Sequence, residues 1–418
     1  MNREERIKML DEVRKGKPYT HEDIVYKKKM DLHPVFRIPT RYLIYNKYNG
    51  RILSMVKSFE RQFRILDPEL EKDKKIIEEF LWQSKPDRNQ ATLKDLDKWG
   101  QKRVGIVTRD GVVIDGNRRC SLLNRLGEEY FNAVILDDTM DSSAREIMEL
   151  ETMYQMGEDE KLDYNPIEKY LKCKDLVEQG FKPIQIGEMM RQPESQIEEW
   201  LNIMDLMDNY LNDLGYTGIY TRLERREGQF VDLSRYLRKY ENGFTAVDWP
   251  YKESDISDLK AICFDYIRAQ YEGKEFRAIG QTSKKGDSFF CKKKVWEKFR
   301  DEHFNAIDAI NQKELAIDEL RKKEPNGDLS DILRVRDQDW TYKAGKSLQG
   351  NLSRSQREME DINEENEPKE LLRRAKDTLE SINTRSESFR KDPAVARLVN
   401  HLAELISRLQ KQMINADN

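Results

Sequence analysis

The sequence predicts an α+β protein, a small mixed α/β unit near the N-terminus followed by a mainly α-helical remainder with a helix-turn-helix-like segment. Residues 104–136, VGIVTRDGVVIDGNRRCSLLNRLGEEYFNAVIL, parse as strand, Asp110-Gly111 hairpin turn, strand, turn, helix and strand. From about residue 143 apolar residues recur at helical steps, with breaks at Asn165-Pro166, Gly180, Pro183 and Pro193. The third observation is compositional: 418 residues, 36% of them charged, against roughly 25% in an average soluble protein, give room for about two or three water-facing domains.

In chain order, residues 1–33 read as a charged helical lead-in. The folded unit, 34–140, opens at Pro34 with VFRIPTRYLIY, a β-branched and aromatic run typical of a strand and its exit. Residues 55–99 read as helical, with Phe59, Phe63, Ile65, Ile76, Ile77, Phe80 and Leu81 forming an apolar stripe. The polar stretch SKPDRNQAT reads as a loop before Leu93 restarts a helix. Residues 141–240 form a helical domain and 241–330 a basic, aromatic helical region. Residues 331–418 comprise a linker and a C-terminal helix, the Asp-, Glu-, Ser-, Asn- and Gly-rich stretch 322–369 reading as flexible. Asp392 is a suitable N-cap for the last helix and Pro393 a suitable first helical residue. Val395, Leu398, Leu402, Leu405, Leu409 and Met413 then give it an apolar seam, suited either to a coiled-coil dimer or to packing on its own domain.

Several function classes are excluded at once. No stretch approaches the ~18 uninterrupted apolar residues of a membrane span, and the charged start is unlike a signal peptide, so a cytoplasmic protein with no membrane partner is expected. The 74 basic and 78 acidic residues nearly cancel, so any nucleic-acid footprint must be local. Cys120, Cys173, Cys263 and Cys291 stand apart, as do His21, His33, His303 and His401, which removes disulfide frameworks, zinc sites and histidine-centred triads. Arg, Lys, Asp and Glu must carry any chemistry. Ala344-Gly345-Lys346-Ser347 ends like a P-loop, but Trp340 stands where its first glycine is required, and the segment reads as a loop.

The most informative run is Val112-Val113-Ile114-Asp115-Gly116-Asn117-Arg118-Arg119. It places a glycine and two arginines where a strand turns into a helix. Unpaired N–H groups of a first helical turn point at an incoming anion, the helix dipole favours it, and glycine lets the backbone approach closely. Arg118 and Arg119 can add bidentate, charge-assisted hydrogen bonds, and Asp115 can cap the helix or sit near a metal. A capped surface helix with two solvated arginines has the same signature.

Further motifs stand in order around this run. Ile38-Pro39-Thr40 leads into Tyr45-Asn46-Lys47-Tyr48-Asn49-Gly50-Arg51, Trp99-Gly100-Gln101 precedes the strand at Val104–Thr108, and Glu149–Gln155 is followed by Asp163-Tyr164-Asn165-Pro166-Ile167-Glu168. Over roughly residues 34–210 this order resembles the ParB/sulfiredoxin-like superfamily in its ParB-like branch, with Gly116-Asn117-Arg118-Arg119 similar to the Gly-x-Arg-Arg box. The resemblance implies a nucleoside triphosphate, CTP or ATP, held with Mg²⁺ and switching a homodimer. It implies phosphate contacts from Arg51, Asp115, Gly116, Asn117, Arg118 and Arg119, with Glu149 and Glu151 as metal-holding and catalytic carboxylates. Thr152 and Gln155 depart from the Asn and Arg usual in the last motif. Asn117 stands where the sulfiredoxin branch carries its reactive cysteine, which sets that activity aside.

The segment Pro183–Met190, Arg191-Gln192-Pro193 and Glu194–Met204 has helix-turn-helix punctuation, at the place where ParB proteins carry one. Its second helix bears Glu194, Glu198, Glu199 and Asp205 without Lys or Arg, which opposes contact with DNA phosphates and suits a basic protein partner or a solvated face. Basic residues cluster instead at Arg222, Arg225, Arg226, Arg235, Arg238 and Lys239, and at Lys284, Lys285, Lys292, Lys293 and Lys294. Phe289, Phe290, Trp296 and Phe299 interleave with the second cluster, a mixture suited to DNA backbone contact plus base stacking, or to a buried aromatic stripe under a solvated face. The expected function is nucleotide-gated and DNA-associated, in partition, a mobile element or phage defence, with NTP hydrolysis as the expected turnover if there is any. A nuclease or phosphotransferase on the same core and a non-catalytic scaffold are the alternatives.

Overall fold

The computed structural model describes residues 1–157, 165–271, 273–323 and 329–416. Asp163 and Tyr164 of the last motif lie outside the described residues. The chain divides into two compact units, Met1–Leu352 and Ser353–Asn418.

The first unit opens with α1 (Arg3–Lys15), whose Asn2 and Glu5 form a reciprocal capping box. Next come β1 (Thr20–Tyr26) and β2 (Lys29–Pro39), an antiparallel hairpin with Tyr26 opposite Lys29. This corrects the expected helical lead-in: the helix ends at Lys15, and THEDIVY, with β-branched Thr20, Ile24 and Val25, is a strand. After a 3-10 turn at Thr40–Tyr42 follow β3 (Ile44–Tyr45), α2 (Leu53–Gln62), α3 (Glu71–Gln83) and α4 (Pro86–Trp99). Most of the expected SKPDRNQAT loop is helix, because Pro86 occupies a first helical position rather than breaking one. The stretch 104–136 folds in the order its sequence predicts, as β4 (Gly105–Val107), β5 (Val112–Asp115), α5 (Asn117–Leu126) and β6 (Tyr130–Ile135).

The strands form one six-stranded sheet in the order β1-β2-β6-β4-β5-β3. Both faces are covered, and the strands alternate between them. Phe36, Ile38, Val107, Val113, Phe131, Ala133 and Ile135 join the core built with α1 to α5. Val35, Ile106, Ile114 and Val134 face the opposite layer with Ile147 and Leu150 of α6 (Ala144–Thr152). β3 runs parallel to β5, so the loop after Tyr45 and the turn after Asp115 leave the sheet at the same end. β4 is antiparallel to β5, which brings its beginning to that end. β1 lies antiparallel to β2 and β2 to β6, while β6 is parallel to β4, so β1 also begins there.

The helical part continues from α6 through a π-helical turn, Met153–Gly157, to α7 (Pro166–Glu178), α8 (Pro183–Met190) and α9 (Glu194–Asp213). α8 and α9 meet across Arg191, which adopts a left-handed φ of 54°. Ile197 and Met204 of α9 are buried, whereas Glu194, Glu198 and Asp205 are exposed, so the helix has an apolar stripe and an acidic outer face. The remaining helices are α10 (Glu227–Glu241), α11 (Glu253–Arg268), α12 (Gly273–Gly280), α13 (Lys293–Asn311), α14 (Ile317–Lys323), α15 (Leu329–Glu380), α16 (Glu387–Lys391) and α17 (Pro393–Ala416).

α15 overturns the linker expected over 322–369, of which residues 324–328 lie outside the described residues, and it places Gly345-Lys346-Ser347 inside a helix rather than a loop. Leu333, Trp340, Ala344, Leu348 and Leu352 bury one side of it in the first unit. Asp337 reinforces that docking, paired with Arg268 at 3.0 Å and with Arg222, and accepting from Tyr216 at 2.9 Å.

Candidate functional site

The loop after β3, the β5–α5 turn, the start of β4, the start of β1 and the π-helical turn surround one cleft of about 240 Å³. Arg51, Asp115, Gly116, Asn117, Arg118 and Arg119 all line it, although Arg51 and the turn are far apart in sequence. The parallel pairing of β3 and β5 is the cause, since it releases both loops side by side. Its lining also includes Glu22 and Asp23 from β1, Asn49, Thr92, Arg103, Tyr154 and Gln155.

Gly116 is the hinge of the site. Its φ of 95° is open to glycine and strained for other residues, and a Cβ there would stand 2.8 Å from the Phe131 ring. No side chain caps α5, and the first in-helix bond is Cys120 N–H to the Gly116 carbonyl at 2.8 Å. The first turn of α5 therefore presents its N–H groups at the cleft.

The two adjacent arginines differ. Arg119 donates to Asp115 at 2.7 Å and to the carbonyls of Val104, at 3.1 Å, and Arg103. It braces the β4 and β5 ends against each other. Asn117 is likewise structural: it is buried, receives the Asn46 N–H at 2.9 Å and donates to the Val113 carbonyl at 2.7 Å. Arg118 and Arg51 line the cleft, with Arg118 partly exposed. The described lining residues include four guanidiniums and three carboxylates, a surplus of one positive charge.

A buried polar network holds the Arg51 loop from behind. Asn46 donates to Glu151 at 2.9 Å, Glu151 pairs with Lys172 of α7 at 3.0 Å, and Gln155 accepts from Gly50 N–H at 3.1 Å while donating to the Ile114 carbonyl at 2.9 Å. Glu168 of α7 accepts from the Ser54 N–H at 3.1 Å and the Ser54 hydroxyl at 2.5 Å, at the start of α2. Burial pushes the Glu168 carboxyl up to about 7, against the pull of the Ser54 donors.

The expected carboxylate pair is not brought together. Glu151 is fully buried and matched to Lys172; burial raises its carboxyl against that pairing. Glu149, two positions earlier and so pointing roughly 200° away around the helix, lines a separate hollow with Lys27, Lys28 and Glu188. Neither lines the cleft. Among the described residues no group of three or more His, Cys, Asp or Glu side chains is placed to hold a metal ion. The Glu149–Glu151 pair does not fit Mg²⁺.

At the second candidate site the buried aromatic stripe, one of the two readings of the sequence, is the one present. Lys284, Lys285, Lys293 and Lys294 are exposed and Lys292 partly so, but Phe289, Phe290, Trp296 and Phe299 are core residues with at most 1% exposure. They cannot stack bases. Arg222 and Arg226 of the other basic cluster are spent internally, on Asp337 and on the Tyr210 hydroxyl.

Sequence reading missed Glu22, Asp23, Thr92, Arg103 and Tyr154. Glu22 and Asp23 lie on β1 and Tyr154 on the π-helical turn, two elements for which the sequence carried no clear signal. No family model matches the chain, and no curated protein matches it.

Proposed function

We propose that the cleft binds the phosphates of a nucleoside triphosphate, CTP or ATP, as the ParB-like resemblance implies. The observation that carries this reading is that Arg51 and Arg118 line the same cleft as the uncapped first turn of α5, which Gly116 starts at a left-handed φ. Mg²⁺ would arrive coordinated to the phosphates, a mode in which the protein supplies few ligands. Because Glu149 lies outside the cleft and Glu151 is consumed by Lys172, the reading is of binding and switching rather than turnover.

The switch is carried by the polar network. The loop bearing Arg51 is gripped by Gln155, by Glu151 through Asn46, and by Glu168 through Ser54, so ligand bound at Arg51 bears on α6 and α7 together. The DNA-associated role, in partition, a mobile element or phage defence, rests on exposed lysines 284, 285, 293 and 294 as phosphate contacts without stacking. The acidic face of α9 is the surface offered to a basic protein partner, and the exposed seam of α17 to a second copy.

Calorimetric titration of CTP, ATP, GTP and UTP with Mg²⁺ tests the central claim on wild type and Arg118→Ala. Saturable binding by at least one nucleotide, weakened at least about 10-fold by the substitution, is expected, as a lost charged hydrogen bond is worth about 1.5–3 kcal/mol. A folded protein that binds none of them overturns the reading.

A further inference from the structure

Resting on the phosphate reading of the cleft, we infer that Tyr154 is the platform on which the nucleobase of the bound nucleotide stacks. Tyr154 is the one aromatic side chain among the described lining residues, in a cleft otherwise dominated by charge. Its position depends on a local irregularity. Successive residues of a regular helix point about 100° apart, but Met153–Gly157 winds as a π-helix, and both Tyr154 and Gln155 reach the cleft. Such widened turns recur at functional sites, since an α-helix forms the same segment with less disruption.

The two side chains divide the work. Gln155 is committed to Gly50 and to the Ile114 carbonyl, which braces the phosphate end. The Tyr154 hydroxyl accepts the Val25 N–H of the edge strand at 3.1 Å, so the ring is fixed at its backbone end by the π-turn and at its far end by β1. Ile24, Val104 and Ile106 line the cleft beside it. An aromatic ring with apolar neighbours suits the flat face of a base, and stacking of that kind tolerates any base. The cleft thereby combines an anion end with an aromatic wall, the two chemistries that a nucleotide carries.

The test compares Mg²⁺-nucleotide binding with binding of inorganic tripolyphosphate, which carries the anion without the base. Wild type, Tyr154→Phe and Tyr154→Leu are titrated by calorimetry, with thermal melts to confirm folding. Leucine keeps apolar bulk and removes the ring, and phenylalanine keeps the ring and removes the hydroxyl. The platform predicts nucleotide affinity on the order of 10- to 100-fold weaker in Tyr154→Leu, tripolyphosphate affinity within about 2-fold of wild type, and a smaller loss of nucleotide binding in Tyr154→Phe, which keeps the ring without its anchor on β1. Unchanged nucleotide affinity in Tyr154→Leu, or equal weakening of both ligands, overturns the platform and leaves the phosphate site standing. A wild type that binds neither ligand overturns both readings.

Discussion

Arg118 and Arg119 are neighbours with identical chemistry, and the structure gives them different duties. Arg119 closes an ion pair with Asp115 and holds two backbone carbonyls of the β4 approach, so Arg119→Ala is expected to cost on the order of 1–3 kcal/mol of stability as well as affinity. Arg118→Ala is expected to lose affinity; chemical denaturation of both variants beside the titrations separates lost binding from lost stability. Gly116→Ala forces a Cβ to 2.8 Å from Phe131 at a left-handed φ, and a loss of about 1–3 kcal/mol is expected by the same measurement. Glu151→Gln strands Lys172 in the interior, at about 3–5 kcal/mol. Glu149→Gln lies outside the cleft and should leave nucleotide affinity within about 2-fold of wild type. The Asp115–Arg119 run was legible in the sequence because strand end, glycine and helix start are local features. The braced state of Arg119 was not, because Arg103 and Val104 reach it through strand pairing.

Among the elements, α7 and α2 carry the clearest pH dependence. Folding raises the Glu168 carboxyl to about 7 from an ordinary value of 4.5, with Glu224 adding repulsion, so the folded state binds the proton more tightly than the unfolded chain. The favourable contribution of the protonated form is complete below about 4.5 and is lost as pH rises through about 7. Replacing it by Gln removes that dependence. Thermal melts from pH 5 to 8 should therefore show wild type losing stability relative to Glu168→Gln as pH rises; parallel curves would contradict it. Element reading from sequence succeeded where periodicity and turn chemistry agreed, as in β4 to β6 and α17. It failed at β1, whose first four residues, Thr20 to Asp23, are all exposed and carry no alternation, and at α15. There the apolar positions Leu333, Trp340, Ala344, Leu348 and Leu352 are sparse among charges, yet most fall one helical turn apart and anchor the helix. The motif order around the cleft was legible, but the aromatic wall was not, because an isolated tyrosine has no sequence signal for where it points.

For the molecule as a whole, α17 leaves Leu398, Leu402, Leu405, Ile406 and Leu409 between 39% and 62% exposed, a continuous apolar stripe in the second unit. A second copy is the proposed occupant. Leu402→Glu combined with Leu405→Glu should shift the mass in sedimentation equilibrium from dimer to monomer while the melt of the first unit is retained; an unchanged mass would remove α17 from the interface. The central claim concerns the cleft, and calorimetric titration of the four nucleotides with Mg²⁺ on wild type and Arg118→Ala addresses it most directly. Saturable nucleotide binding that weakens at least about 10-fold in the variant is the predicted result. Equal binding by both proteins, or none by a folded wild type, would contradict it.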